Sequence, residues 1–243
     1  MLQEHVSCSS CPIRHRAVCA KCDTDELERL NAIKFYKTYA AGETIAYQGD
    51  ELDVVASVVS GVATLERGIE DGRMQMVGLL LPSDFIGRPG RTILNYDVTA
   101  VSDVTLCSFH RQPFEQLLIE IPHLQERLLQ MAFDELDAAR EWMLLLGRKT
   151  AREKIASMLI SVVKRTHLPE GQSLGTATRL ELPLSREAMG NFLGLTIETV
   201  SRQFTALRKD GVIELEGKRV VIIPDMDLLL AESGDDDDGG LLA

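Results

Sequence analysis

Between residues 37 and 113 glycine breaks the chain into short β-rich runs, and pieces of that length can bury an apolar face only by pairing with one another. Residues 54–59, 62–65, 74–81 and 104–109 read as strands, punctuated by Gly42, Gly49, Gly61, Gly72, Gly78 and Gly87. Asp71 and Gly72 suit a tight hairpin. An antiparallel roll or barrel of about 75 to 80 residues is the expected product.

The hydrophobic period changes on either side of this stretch. Residues 25–33 carry Leu27, Leu30 and Ile33 on one helical face. Residues 114–146 carry Ile121, Leu124, Leu128, Ala132, Leu136, Ala139, Met143 and Leu146 at spacings of three or four. Such a stripe either covers the roll or meets an identical helix. Its length and its small alanines favour pairing, which makes Leu124, Leu128, Ala132, Leu136, Ala139 and Met143 the expected homodimer interface. Trp142 and residues 143–146 are expected to pack at the domain junction.

No apolar run reaches the roughly 18 residues that a membrane helix needs. The first eight residues, MLQEHVSC, have neither the basic nor the apolar region of a signal peptide, so a cytoplasmic, reducing location is expected. The chain carries 26 Lys plus Arg against 37 Asp plus Glu, a balance that alone argues against nucleic acid. Its distribution reverses that argument. Residues 147–224 hold 13 basic and 8 acidic side chains, so one region of an acidic protein is basic, as a phosphate-binding module is. The acidic run at residues 235–238 between glycines reads as a solvated tail.

Within the basic region, Ser185 can cap a helix bearing Ala188, Met189 and Phe192, Gly194 stands where a sharp turn needs a left-handed residue, and Thr196 can cap the next helix. On that second helix Ile197, Val200, Phe204 and Leu207 are expected inward, with Glu198, Ser201, Arg202 and Thr205 outward. Alternating runs at 212–215 and 220–223 flank a wing. The pattern is a winged helix-turn-helix for double-stranded DNA. Arg202 can fork onto guanine, Glu198 can accept from a cytosine amino group, and Ser201 can hydrogen-bond a base edge. Lys209, Lys218 and Arg219 suit phosphates.

Four of the five cysteines, Cys8, Cys11, Cys19 and Cys22, lie in the first 22 residues, and Cys107 lies in an expected strand. Paired CxxC thiols in a reducing compartment are ligands for soft metals or iron-sulfur clusters. A c-type haem requires CxxCH, but Pro12 follows Cys11 and Asp23 follows Cys22. A closed zinc site from the four N-terminal cysteines and a [4Fe-4S] cluster both remain open. Nothing supports an enzyme: there is no glycine-rich nucleotide loop, no nucleophile-base pair and no CxxxCxxC, and the five histidines are scattered.

The N-terminal cysteines, the segment SDFIGRPG at 83–90, the run WMLLLGRKTAREKIA and the motif LGLTIETVSRQ together resemble the CRP/FNR family of bacterial transcription regulators, and within it the FNR-type oxygen sensors, among them the FnrL proteins of photosynthetic alphaproteobacteria. The resemblance spans nearly the whole chain. It implies an α+β fold with an N-terminal cyclic-nucleotide-binding-like β-roll, a long dimerisation helix and a C-terminal winged helix-turn-helix. The corresponding divisions are residues 1–24 for the cysteine segment, 25–115 for the roll, 116–147 for the dimerisation helix, 148–231 for the DNA-binding domain and 232–243 for a disordered acidic tail. It further implies a [4Fe-4S] cluster on three N-terminal cysteines and one from the roll: Cys8, Cys11, Cys19 and Cys107, with Cys22 spare or an alternate ligand. Glu198, Ser201 and Arg202 match the recognition-helix pattern residue by residue, which implies palindromic sites like TTGAT-N4-ATCAA. Cyclic-nucleotide binders of the family carry Gly-Glu and Arg-Ser or Arg-Thr pairs; here Arg88 follows Gly87, and Arg91-Thr92 stands without the rest, so cyclic nucleotide is not the expected ligand. RNA polymerase is an expected partner, through exposed roll loops and residues 148–153.

Overall fold

The computed structural model describes residues 7–68, 74–167, 177–217 and 219–235. The chain divides into two compact units, residues 1–133 and 134–243.

In the first unit, a 3-10 turn at Cys8–Ser10 leads into α1 (Thr24–Ile33), whose start is a complete capping box between Asp23 and Glu26. Among the described residues eight strands follow: β1 (Lys34–Tyr39), β2 (Thr44–Ala46), β3 (Val54–Ser60), β4 (Ala63–Gly68), β5 (Met74–Leu80), β6 (Phe85–Ile86), β7 (Asp97–Ala100) and β8 (Val104–His110). They form two four-stranded sheets, ordered β1-β8-β3-β6 and β2-β7-β4-β5, with every pairing antiparallel. The roll is therefore present: the four named runs correspond to β3, β4, β5 and β8, while β1, β2, β6 and β7 were not singled out in the sequence. The expected hairpin at Asp71 and Gly72 lies outside the described residues.

Strand alternation gives the first sheet two buried faces. Ala56, Val58, Val104 and Leu106 join Ala63, Leu80 and Val98 in the core of the roll. Val55, Val59, Cys107 and Phe109 point the other way and are covered by the N-terminal segment, α1 and the following helices. Those helices are α2 (Arg111–Glu120) and α3 (Pro122–Arg148). A single helix was expected over 114–146, and the dimerisation helix from 116. Ile121 is instead extended (φ −116°, ψ 97°), because a residue before proline is driven out of helical geometry, and α3 starts at Pro122.

In the second unit the later part of α3 is followed by α4 (Ala151–His167), β9 (Thr178–Glu181), α5 (Arg186–Leu193), α6 (Ile197–Lys209), β10 (Glu214–Glu216), β11 (Val220–Ile223) and α7 (Met226–Ala231). The three strands make one antiparallel sheet ordered β10-β11-β9. Leu159, Leu180, Met189, Leu193, Phe204 and Ile213 are among its fully buried side chains. Trp142 of α3 stacks on Phe192 with centroids 4.0 Å apart, and Leu145 is buried, while Met143 and Leu144 are exposed.

Two further expectations change here. The tail does not begin at 232: Ser233 is fully buried, Glu232 pairs with Arg152, and Asp235 pairs with Lys149, so the chain stays packed through Asp235. Residues 236–243 lie outside the described residues. Ile197 is exposed rather than inward, since it is the first residue of α6 and precedes the buried stripe of Val200, Phe204 and Leu207. Among the described residues no helix is long and apolar enough to cross a membrane.

Candidate metal centre and nucleic-acid interface

Cys107 is the Cα partner of Tyr36 on β1 and of Ser57 on β3. The three side chains stand in a row on the covered face of the sheet. Above them the 3-10 turn and the loop to Cys22 bring Cys8, Cys11 and Cys19, and the four thiols share one small cavity with Tyr36, Ser57, Leu30 and Phe109. Cys22 is buried but does not line it.

Burial acts in one direction on Cys8, Cys19, Cys22 and Cys107. Burial raises the Cys107 thiol well above its ordinary value, and Cys8, Cys11 and Cys19 add to that rise. Burial pushes Cys19 up to about 11, with Cys8 and Cys11 as the next contributors. Cys8 is likewise raised by burial, against which Lys34 acts to lower it. Cys22 is pushed up to about 12 by burial, and then by Cys19, Glu26 and Asp23. All four described shifts favour the neutral thiol, so stable thiolates here need a positive partner.

The enclosed space is about 20 Å³, enough for one water-sized guest. Its outer wall is the turn and loop, so anything larger displaces that wall. No three of the cysteine sulfurs all lie within 4.8 Å of one another; among the described residues the only such trio of potential ligands is Asp23, Glu26 and His123. A zinc ion with Zn–S bonds of about 2.3 Å would hold its thiolates roughly 3.8 Å apart. Four convergent thiols with an apolar lining are a donor set that a soft metal ion or an iron-sulfur cluster can use.

The N-terminal segment is tied down by polar contacts. The Arg14 guanidinium donates to the Cys22 carbonyl oxygen (3.2 Å), so Arg14 is turned inward while His15 is exposed. The nearly buried Arg127 donates to the Arg16 carbonyl (2.6 Å), Lys21 pairs with Glu126 (2.5 Å), and His123 Nδ1 lies 2.9 Å from Glu26 Oε2. Residues 14–26 thus hold the first turns of α3. The trio of Asp23, Glu26 and His123 had no signal in the sequence, because it joins groups almost a hundred residues apart.

The rest of α3 bears on the expected dimer interface. Leu124 is fully buried against its own roll and cannot offer surface to another chain; Leu128 is partly used in the same way. Ala132, Leu136, Ala139 and Met143 are exposed, together with Leu129 and Phe133, which the sequence stripe omitted.

In the second unit, the Ser185 Oγ accepts from the Ala188 N–H and the Thr196 Oγ1 from the Thr199 N–H, capping α5 and α6. Between them Gly194 is left-handed (φ 65°, ψ 40°). A Cβ on Gly190 would come within 2.6 Å of the Leu195 carbonyl oxygen, so the turn packs closely only with glycine there. Arg186, not singled out in the sequence, lies 3.4 Å over the Phe204 ring and helps hold α5 on α6.

Glu198, Ser201, Arg202, Thr205 and Lys209 are all exposed on α6, and Thr196 is exposed at its start. Hydrogen bonds from its own backbone N–H and from the Thr196 hydroxyl hold the Glu198 carboxylate below its usual range. Glu198 and Arg202 make no ion pair with each other; Arg202 donates instead to Thr199 Oγ1 (3.3 Å). Thr205 donates to the Ser201 carbonyl (2.9 Å), which turns its hydroxyl toward the backbone. Arg219 is exposed beside the wing, and Lys218 lies outside the described residues. Of residues 148–153, Arg152 is occupied by Asp210 and Glu232 and Glu153 accepts from the Thr150 N–H, leaving Arg148 exposed.

The model of the Crp-like helix-turn-helix domain matches residues 153–232, and that of the cyclic nucleotide-binding domain matches residues 36–120. The chain is 61% identical to the transcriptional activator protein FnrL of Cereibacter sphaeroides, over 96% of this chain and 94% of the relative. It is 38% identical to the nitrogen fixation regulation protein FixK of Bradyrhizobium diazoefficiens, over 86% of each. Among solved structures, FixK2 from Bradyrhizobium japonicum is similar with a TM-score of 0.75 at 27% identity, covering 84% of this chain and 99% of that one.

Proposed function

The chain belongs to the CRP/FNR family of DNA-binding transcription regulators, and on that premise we propose that it is an oxygen-responsive member that binds DNA as a homodimer while Cys8, Cys11, Cys19 and Cys107 hold a [4Fe-4S] cluster. The observation that carries this reading is the convergence of those four thiols, from two distant segments, on one apolar cavity that Cys22 does not line. The relative FnrL is a transcriptional activator by name, and the proposed activity here is the same. The roll acts as scaffold rather than as a cyclic-nucleotide receptor: no carboxylate follows Gly87, and Arg91 and Thr92 are exposed.

When bound, the cluster supplies an oxygen-sensitive link between the N-terminal segment and the sheet. The remaining work falls to the chain. Residues 8–19 are held to the sheet through Cys107, and the Arg127, Glu126 and His123 contacts pass that hold to the first turns of α3. A seated segment favours the α3 geometry in which Leu129, Phe133 and Leu136 meet a second copy and the two α6 helices reach successive major grooves. Glu198, Ser201 and Arg202 then read palindromic half-sites like TTGAT, with Thr196, Thr205, Lys209, Lys218 and Arg219 around them, and Arg148 and the roll loops face RNA polymerase. Air releases the segment and lowers DNA affinity.

The alternative is a zinc-stabilised or redox-responsive regulator without a cluster, with any zinc held by Cys8, Cys11, Cys19 and Cys22. Iron, sulfide and zinc analysis of protein purified under argon separates the two. Roughly four irons and four sulfides per chain is the expected result; one zinc and no sulfide would replace this reading with the alternative.

A further inference from the structure

Ser57 lies in the middle of β3, flanked by Val55, Ala56, Val58 and Val59. It is 2% exposed, and its Oγ is buried without a hydrogen-bond partner. It lines the cysteine cavity and is the Cα partner of Cys107, so the two side chains share one face at cross-strand distance. A buried hydroxyl with no acceptor costs stability, and alanine or valine at this strand position would avoid that cost. No protein group stands within hydrogen-bond distance of that hydroxyl. The neutral thiols around it are weak acceptors, whereas a metal-bound thiolate is a strong one.

We infer that Ser57 is a positioning residue for the cluster site, donating its hydroxyl proton to the Cys107 thiolate once that sulfur is bound. The inference rests on the cluster reading above. Hydrogen bonds to cluster sulfurs stabilise the more reduced, more negative state and raise the reduction potential. Ser57 therefore makes the cluster harder to oxidise and sets how readily the regulator responds to air.

The test uses full-length protein loaded under argon as wild type, Ser57→Ala and Ser57→Thr. Iron and sulfide content, the midpoint potential, and the shift of the Fe–S stretching bands on transfer from H₂O to D₂O are read for each. Expected are equal iron and sulfide in all three, a more negative potential and loss of the D₂O shift in Ser57→Ala, and wild-type behaviour in Ser57→Thr. In metal-free protein the sign reverses, with Ser57→Ala melting at or above the wild-type temperature because the orphaned hydroxyl is gone. A fully loaded Ser57→Ala with unchanged potential and D₂O shift overturns the role of Ser57. So does a folded Ser57→Ala that takes up no iron, since the hydroxyl would then serve assembly rather than tuning. Wild-type protein that takes up no iron and sulfide overturns the cluster reading itself, and this inference with it.

Discussion

Cys107 on β8 and Tyr36 on β1 are Cα partners, which fixes the Cys107 sulfur on the sheet face that the N-terminal cysteines cover. A shift of one residue in that register would turn Cys107 into the core of the roll, among Val58 and Val98, and separate it from Cys8, Cys11 and Cys19.

The cysteine variants should therefore fall into two classes. Alanine at Cys8, Cys11, Cys19 or Cys107 should each abolish assembly of a full cluster under argon, while Cys22→Ala should keep about four irons per chain. Iron and sulfide analysis of the five single variants checks this. A Cys22→Ala protein without iron and a fully loaded Cys107→Ala protein would reverse the assignment.

Metal-free protein should lose stability as pH rises above the ordinary thiol value of 9.0. Cys19 is pushed up to about 11 and Cys22 up to about 12, so between pH 9 and 12 the folded chain keeps protons that the unfolded chain releases. Stability falls wherever the native state binds more protons, so the contribution of these thiols is fully present below pH 9 and lost as pH rises through the folded values. Denaturant midpoints of metal-free protein at pH 8 and pH 10.5 test the sign.

Base reading by α6 is separable from phosphate contact. Glu198→Ala and Arg202→Ala should each weaken binding to a TTGAT-N4-ATCAA duplex by about 1 to 3 kcal/mol, roughly 5- to 150-fold, and relax preference at one base. Lys209→Ala should weaken all duplexes alike and reduce the slope of log K against log salt by about 1. Titrations of matched and single-mismatch duplexes at two salt concentrations distinguish the two patterns.

On α3, Leu136 is exposed and Leu124 is fully buried. Leu136→Glu should leave the circular dichroism spectrum intact while weakening self-association at least tenfold, or about 1.4 kcal/mol. Leu124→Glu should instead unfold the roll, because it places a charge in a sealed apolar site. Sedimentation and melting curves of both variants under argon decide this.

The strands of the roll were legible because glycine and β-branched runs mark their ends, and the turn of the DNA-binding unit because Ser185, Gly194 and Thr196 each satisfy a local backbone need. The open face of α3 was not, because one hydrophobic stripe serves two surfaces: its first part, at Leu124, is spent on the chain's own roll. Nor was the packing of Ser233 and Asp235, whose acidic, glycine-rich surroundings read as solvated until Lys149 and Arg152 supplied partners. Ser57 gave no signal either. A serine in a valine-rich strand becomes informative only when the register sets it against Cys107 and its hydroxyl has no partner.

The central claim is that the four-thiol site couples oxygen to DNA affinity through the N-terminal segment. Its most direct measurement is the affinity of one iron-loaded preparation for a TTGAT-N4-ATCAA duplex, titrated under argon and again after exposure to air. The account predicts tight binding under argon and a loss of at least tenfold in air; equal affinity under both conditions would contradict it.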